Sequence, residues 1–388
     1  MTRRKAIAAN LCLVVGSVAV FFLLLELVVF RFVLPATDVP QNAFIDGTIR
    51  LEPHQQGYTR SANGRAARYV VNAQGWNSAH PTYRPERVDG EKRIALIGDS
   101  FVEALQVPYD ESLAERLESR MIEAGQPTEV YRFAVSGAPL SQYLHMLEQE
   151  VARYAPDLVI VVIVHNDFDE SFLFKPGRYT SSFLKLKMEG DRVVDELAPA
   201  PFEPGWIEMV RHLATFRYLY YQRKLRPSVI RDLLLGSRQV YEANIEVDRI
   251  TRHWDQIAAA TDYLFARLAA SAARQGTKLM LVMDANRQEI YHTGRPAKAH
   301  GADRLNGLAA DLAAKHGIPF LDLKSAFRAD WATHKTRFEF PDDNHWNSYG
   351  HDKAAEAITA FLEGQQHHTL MSGALANSHA ATLGVARR

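Results

Sequence analysis

The chain has 388 residues, 47% of them hydrophobic and 23% charged, which is ordinary globular composition with enough apolar material for one large core or two modest ones. Lys plus Arg and Asp plus Glu both number 45, so the formal charge is zero and no global basic field points to nucleic acid. The single cysteine, Cys12, lies in an apolar run near the N-terminus, which excludes an intrachain disulfide framework and a cysteine-based metal site.

The basic start Met1-Thr2-Arg3-Arg4-Lys5 is followed by residues 6–25, which carry no charge. At ~1.5 Å per residue that run covers ~30 Å, the thickness of a bilayer's hydrocarbon core. Residues 6–34 are therefore expected to contact inner-membrane lipid. Glu26 and Arg31 fit where the helix reaches headgroups, and Pro35 stops it. The run exceeds the apolar region of a cleaved signal peptide and no small-x-small site follows it, so an uncleaved anchor is expected. Cations ahead of the span predict a cytoplasmic N-terminus and a single-pass protein whose body lies on the extracytoplasmic, periplasmic side.

Residues 36–90 are polar and rich in Gly, Asn, Pro and Arg, and read as a stalk ending in a small element packed on the main domain. The domain itself is expected over 91–364. Residues 94–97 form a short apolar run suited to a strand buried on both faces, and 112–124 repeat Leu113, Leu117 and Met121 at helical spacing. A second strand (129–135), a second helix (141–154) and the β-branched run 158–164 continue the pattern. Over 169–248 the rhythm breaks into a cap insertion, with a hairpin turning at Gly190-Asp191 and a helical stretch over 206–226. Helix 250–274, strand 278–283, helix 302–315, strand 319–323 and helix 349–362 then follow. This alternation predicts an α/β fold: a three-layer α/β/α sandwich on a parallel sheet, with its site at the strand C-termini. Residues 365–388, lacking apolar periodicity, read as a disordered tail.

Gly98-Asp99-Ser100-Phe101 places a serine just beyond the first strand of the domain. Taken alone the tripeptide is equally an ordinary turn. Three further segments end at the same sheet edge. Ala134-Val135-Ser136-Gly137 offers a backbone N–H that no side chain shields, and His165-Asn166-Asp167 offers a carboxamide donor. With the N–H of Ser100 they make a candidate oxyanion hole of Ser100, Gly137 and Asn166, although Gly137 is also a plausible turn residue and Asn166 a plausible helix cap. The fourth segment, Phe340-Pro341-Asp342-Asp343-Asn344-His345, precedes the last helix. In a tight turn Asp342 would hold one imidazole nitrogen of His345 and leave the other facing Ser100; Asp343 is the alternative orienter. The bland reading is an Asp- and Asn-rich capping loop, yet this setting holds just one of the chain's 15 histidines. Ser100, Asp342 and His345 are the expected catalytic residues. The remaining His and Asp residues show no metal-ligand spacing, so neither metal nor cofactor is expected; His292 and His300 read as pocket rim or solvated loop.

These four blocks, with Ser100, Gly137, Asn166, Asp342 and His345 in that order, resemble the SGNH/GDSL-type hydrolase family from about residue 70 to residue 362. Asn72-Ala73-Gln74-Gly75-Trp76, Val107-Pro108-Tyr109-Asp110-Glu111-Ser112 and Gln142-Tyr143-Leu144 are similar to its bacterial membrane-anchored members. Two positions depart from the pattern: His165 stands where the family usually has glycine, and Phe133-Ala134 where many members carry Asn. The resemblance implies a Ser-His-Asp site on a flavodoxin-like sheet and an esterase that removes acyl, notably acetyl, groups from an extracytoplasmic glycan or lipid ester. O-acyl transfer in cell-envelope or exopolysaccharide modification is the alternative; an inactive glycan-binding or scaffold subunit is the rival from another class. The order Ser…Asp…His without a G-x-S-x-G elbow separates the chain from α/β-hydrolases.

Overall fold

A computed structural model of the chain describes residues 3–173, 180–203, 205–226, 241–243, 245–291 and 301–365. The expected tail, His292 and His300, and part of the insertion lie outside the described residues.

Five parallel strands form the central sheet: β1 (Lys92–Gly98), β2 (Thr128–Ala134), β3 (Leu158–Ile163), β4 (Lys278–Met283) and β5 (Phe320–Asp322), in the order β5-β4-β3-β1-β2. This is the doubly wound arrangement, in which the order of strand addition across the parallel sheet reverses between β1 and β3. Side chains alternate across a strand, so each strand feeds both faces. On one face Ala95, Ile97, Phe133, Val161 and Leu281 pack against Leu144, Leu264, Phe265 and Leu305. These come from helices α2 (Leu140–Gln149), α3 (Trp254–Gln275) and α4 (Gly301–Lys315). On the other face Ile94, Leu96, Val130, Ile160 and Val282 meet Leu117, Met121, Phe327 and Ile358. Those belong to α1 (Leu113–Glu123), α5 (Leu323–His334) and the final helix over residues 348–365. The expected three-layer sandwich is present. Helix α5, on which the sequence pattern is silent, supplies part of the second layer.

Residues 36–90 do not form a stalk. Two antiparallel hairpins, Asn42–Ile45 with Thr48–Leu51 and Gln56–Arg60 with Ala66–Val70, fold back on the body. Ile49 and Trp76 enter the main core, and buried Arg50 donates to Glu150 at 2.9 Å. The insertion carries the expected hairpin (Lys185–Glu189 with Arg192–Leu197), whose turn residue Gly190 has φ +61°. The 206–226 stretch is broken into the short helices Trp206–Val210 and Ala214–Phe216 and a π-type turn over Arg217–Gln222.

The N-terminal helix runs from Arg3 to Leu24 and continues with wider, π-type hydrogen bonding through Leu25–Val33. Within Lys5–Val33 an 18-residue window has mean hydropathy 2.8 and is 6% buried, so the helix is long and apolar enough to cross a membrane.

Candidate active site

At the tip of β1 the chain turns so sharply that a Cβ on Gly98 would lie 2.3 Å from Val102 Cγ2, so any larger residue forces the turn open. Buried Asp99 then accepts from the backbone N–H of Phe101 at 2.8 Å, capping the short helix Ser100–Glu103 and fixing Ser100 as its first residue. The Ser100 hydroxyl lies 2.8 Å from His345 Nε2. It is also 3.2 Å from Asp99 Oδ2, a carboxyl that burial pushes up to about 6.

His345 sits on a strand (Asp343–Trp346) paired antiparallel with Glu339–Phe340. Residues two apart on a strand share a face, so Asp343 and His345 point the same way and Asn344 points opposite. Asp343 Oδ1 accepts from His345 Nδ1 at 2.5 Å and from the His345 backbone N–H at 3.1 Å. With Nδ1 donating to the carboxylate, Nε2 is free to accept the Ser100 proton. Burial works against the Asp343 charge, but the hydrogen bond and charge of His345, its backbone N–H and the nearby Lys224 outweigh it and hold the carboxyl down at about 2. The expected orienter, Asp342, is displaced from this role. It falls one residue ahead of the strand, where its Oδ1 is 3.5 Å from Arg65 Nη1 and its carbonyl accepts from Lys224 Nζ at 3.1 Å. The turn geometry assumed for the block would have favoured spacing of three; the strand imposes spacing of two.

The tip of β4 braces this hairpin. Arg287 donates to the Asn344 carbonyl at 2.8 Å and to both oxygens of Asp284 at 2.8 Å, while Trp346 Nε1 donates to Asp284 at 3.0 Å. Phe101 fills the space between, its ring 4.8 Å from that of His345 and 5.5 Å from the Arg287 guanidinium carbon. Asp284 and Arg287 are bracing residues that sequence reasoning left in an unassigned loop. Their signal was their place directly after a strand, the same address as the other three segments.

The expected oxyanion donors lie past the tips of neighbouring strands. β1 is paired with β2 through Gly98 and Ala134 and with β3 through Ile97 and Val161, which brings the residues after them to one edge. Gly137 has φ +78°, a conformation that disfavours any residue with a Cβ. Asn166 stands ahead of the short helix Asp167–Glu170 without capping it through its side chain. Its loop is tied by buried Asp167, which accepts from Val164 N and from Tyr143 Oη, both at 2.8 Å. His165, at the family's usual glycine position, is buried with a ring nitrogen 2.8 Å from Asn306 Oδ1, and burial lowers its pKa.

The Gly137 loop is held by a buried carboxyl. Glu103 accepts from the Ser136 backbone N–H at 3.1 Å and from its hydroxyl, and burial pushes the Glu103 pKa up to about 7 from 4.5. A carboxyl with a raised folded-state pKa binds its proton more tightly folded than unfolded. Its contribution therefore falls as pH rises from about 4.5 through 7, by on the order of 3 kcal/mol at most. Glu103→Gln keeps an acceptor for Ser136 but cannot ionise. Melting curves at pH 5 and pH 8 should show a smaller pH-dependent loss of stability in the variant than in the parent; equal losses would remove Glu103 from this role.

Among the described residues no cluster of three or more His, Cys, Asp or Glu side chains is arranged to hold a metal ion.

Residues 94–189 match the family described as GDSL-like lipase/acylhydrolase. Residues 246–384 match the SGNH hydrolase-like domain of acetyltransferase AlgX. An arylesterase of Vibrio mimicus is 28% identical over 95 residues, covering 24% of this chain and 46% of the relative, so the chain spans about half of that relative's length. Among solved structures, the chain is similar to the acetyl xylan esterase AlAXEase, at 13% identity over 69% of this chain and 98% of that one, with a TM-score of 0.39. It is also similar to the psychrotrophic esterase EstA from Pseudoalteromonas sp., at 8% identity over 71% and 99% of the two chains, with a TM-score of 0.36. The two family matches enter the insertion from its two ends, reach all five strands of the sheet and include Ser100, Gly137, Asn166, Asp343 and His345. On these grounds the chain belongs to the SGNH/GDSL hydrolase family of esterases and acyltransferases.

Proposed function

We propose that this protein is a serine-dependent acyl-transferring enzyme that removes acyl, notably acetyl, groups from an ester of a glycan or lipid outside the cytoplasmic membrane. The observation that carries the proposal is the unbroken relay from Asp343 through His345 to Ser100, with contacts of 2.5 and 2.8 Å. His345 Nε2 takes the hydroxyl proton as Ser100 Oγ attacks the ester carbonyl. The resulting oxyanion is received by the N–H groups of Ser100 and Gly137 and the Asn166 carboxamide. Collapse breaks the ester C–O bond, and the departing alcohol takes the proton back from His345. A second hydroxyl, from water or an acceptor, then repeats the sequence on the acyl-enzyme.

Anchoring through residues 6–34, with the body outside, is supported by the apolar helix and by Arg3-Arg4-Lys5 ahead of it. O-acyl transfer is a second reading, favoured by the match to the AlgX acetyltransferase domain over residues 246–384, which contain Asp343 and His345. Fluorophosphonate labelling of the intact protein tests the nucleophile: adduct on the Ser100 peptide is expected, and no adduct would leave a scaffold role. Product analysis with p-nitrophenyl acetate and an added oligosaccharide separates free acetate from acetylated acceptor. Asn166→Ala should lower kcat by ~10²- to 10³-fold, the usual cost of one oxyanion donor, with melting unchanged. Wild-type turnover in that variant would remove Asn166 from the site.

A further inference from the structure

The insertion does more than cap the sheet, because it grips the N-terminal helix where that helix ends. Glu26 accepts from the backbone N–H groups of Ala214 and Thr215 at 2.8 and 2.9 Å, and Phe30 stacks on Tyr218 at 4.5 Å. The chain leaving the helix is held as well. Gln222 accepts from Thr37 N at 2.9 Å, Arg217 donates to Asp38 at 2.7 Å, and Arg211 donates to the carbonyls of Val39 and Pro40 at 2.8 and 2.7 Å. Residues 205–226 thus form a collar with a fixed position relative to the helix.

That collar is apolar on the outside. Trp206 is 66% exposed and Met209 81%, and Leu213, Leu219 and Leu225 are exposed beside them. Trp206 packs edge-on against Phe216, at 6.1 Å between ring centroids. Phe216, Leu213, Leu219 and Leu225 in turn line an apolar cavity of about 460 Å³ together with Phe22 and Leu23 of the helix. The patch is therefore continuous with the surface that lipid covers if the helix spans a bilayer. Phe22 lies about one helical turn, ~5.4 Å, toward the hydrocarbon from Glu26, which matches the ~5–10 Å depth to which interfacial segments sink. Cations sit on aromatic rings in the same segment: Arg223 lies 5.3 Å from the Tyr218 ring centroid and Arg226 lies 5.2 Å from that of Tyr220. Tyrosine and arginine at such positions suit the headgroup layer, with rings at the boundary and charges facing phosphate.

We infer that residues 205–226 are an interfacial foot, seated in the outer leaflet beside the anchor through Trp206, Met209, Leu213, Leu219 and Leu225. The inference rests on the anchor reading above. It gives the foot a consequence for the site, because Lys224, in the same segment, reaches the Asp342 carbonyl and lies 4.0 Å from Asp343 Oδ2. The Ser100 site is then held at a fixed height above the lipid surface.

The full chain, reconstituted in phosphatidylcholine and phosphatidylglycerol vesicles with and without bromine-labelled acyl chains, tests this with two probes. A nitroxide on the native Cys12 reports the anchor, and tryptophan emission of the parent minus that of Trp206→Phe reports the foot. Expected are a Cys12 probe shielded from water-soluble relaxants and a Trp206 component quenched by bromolipid. A shielded Cys12 with an unquenched Trp206 component overturns the foot while the anchor stands, and leaves the patch to a protein partner. A water-accessible Cys12 overturns the anchor reading and the foot with it.

Discussion

Ser100→Ala is expected to lower kcat on p-nitrophenyl acetate by ~10⁴-fold or more and to abolish fluorophosphonate labelling, because no other hydroxyl stands 2.8 Å from the His345 Nε2 acceptor among the described residues. Residual turnover would come from the oxyanion donors and substrate binding, which survive the change. The cost to the fold should be small. Among the described residues the lost hydroxyl makes hydrogen bonds only with His345 and Asp99, and one such hydrogen bond is worth ~1 kcal/mol net. Turnover near the parent rate in Ser100→Ala would transfer the chemistry to another group; a collapse in melting temperature would show instead that Ser100 supports the β1 turn.

The second large effect distinguishes two adjacent acids. Asp343→Asn should lower kcat by ~10⁴-fold, since an amide facing Nδ1 offers a proton where the carboxylate accepted one and drives the imidazole into the tautomer that cannot receive the Ser100 proton. Asp342→Asn should stay near the parent rate. Its partner is Arg65 at 3.5 Å, with both side chains about a quarter exposed or more, and a partly solvated pair of this kind contributes ~1 kcal/mol or less. Equal losses in the two variants, or a larger loss at Asp342, would reverse the assignment. The pH profile adds an independent check. A carboxyl held down at about 2 stays charged through the ordinary assay range, so loss of activity between pH 4 and 6 does not arise from protonating Asp343. The sign for stability follows: the ionised Asp343 contributes above the ordinary carboxylate range, and that contribution disappears only as pH falls toward 2.

The exchange of Asp342 for Asp343 shows where residue patterns stop being informative. The strands of the sheet were legible because each is a short apolar run closed by a turn, and with them came the addresses of Ser100, Gly137 and Asn166. The Asp342-to-His345 block carries no such signature. Its residues favour turns, and only pairing with Glu339–Phe340 makes a strand of them. Helix α5 escaped notice for a related reason: among its 12 residues only Leu323 and Phe327 are buried, too few to display a period. The hairpins of residues 42–70 depend on partners far along the chain, such as Glu150 for Arg50. The π-type turn at Arg217–Gln222 packs against Phe30 of the N-terminal helix, a contact between distant parts of the sequence that no local window contains.

The Glu26 clasp sets an order of assembly. Its two hydrogen bonds join positions 188 and 189 residues apart, so the acceptor is made long before its donors emerge. Until Ala214 and Thr215 arrive, the Glu26 carboxylate must remain solvated, and the collar closes around a helix already made. A body supplied with an unrelated N-terminal helix would keep its sheet and its Ser100 relay while losing the clasp that fixes the collar against that helix.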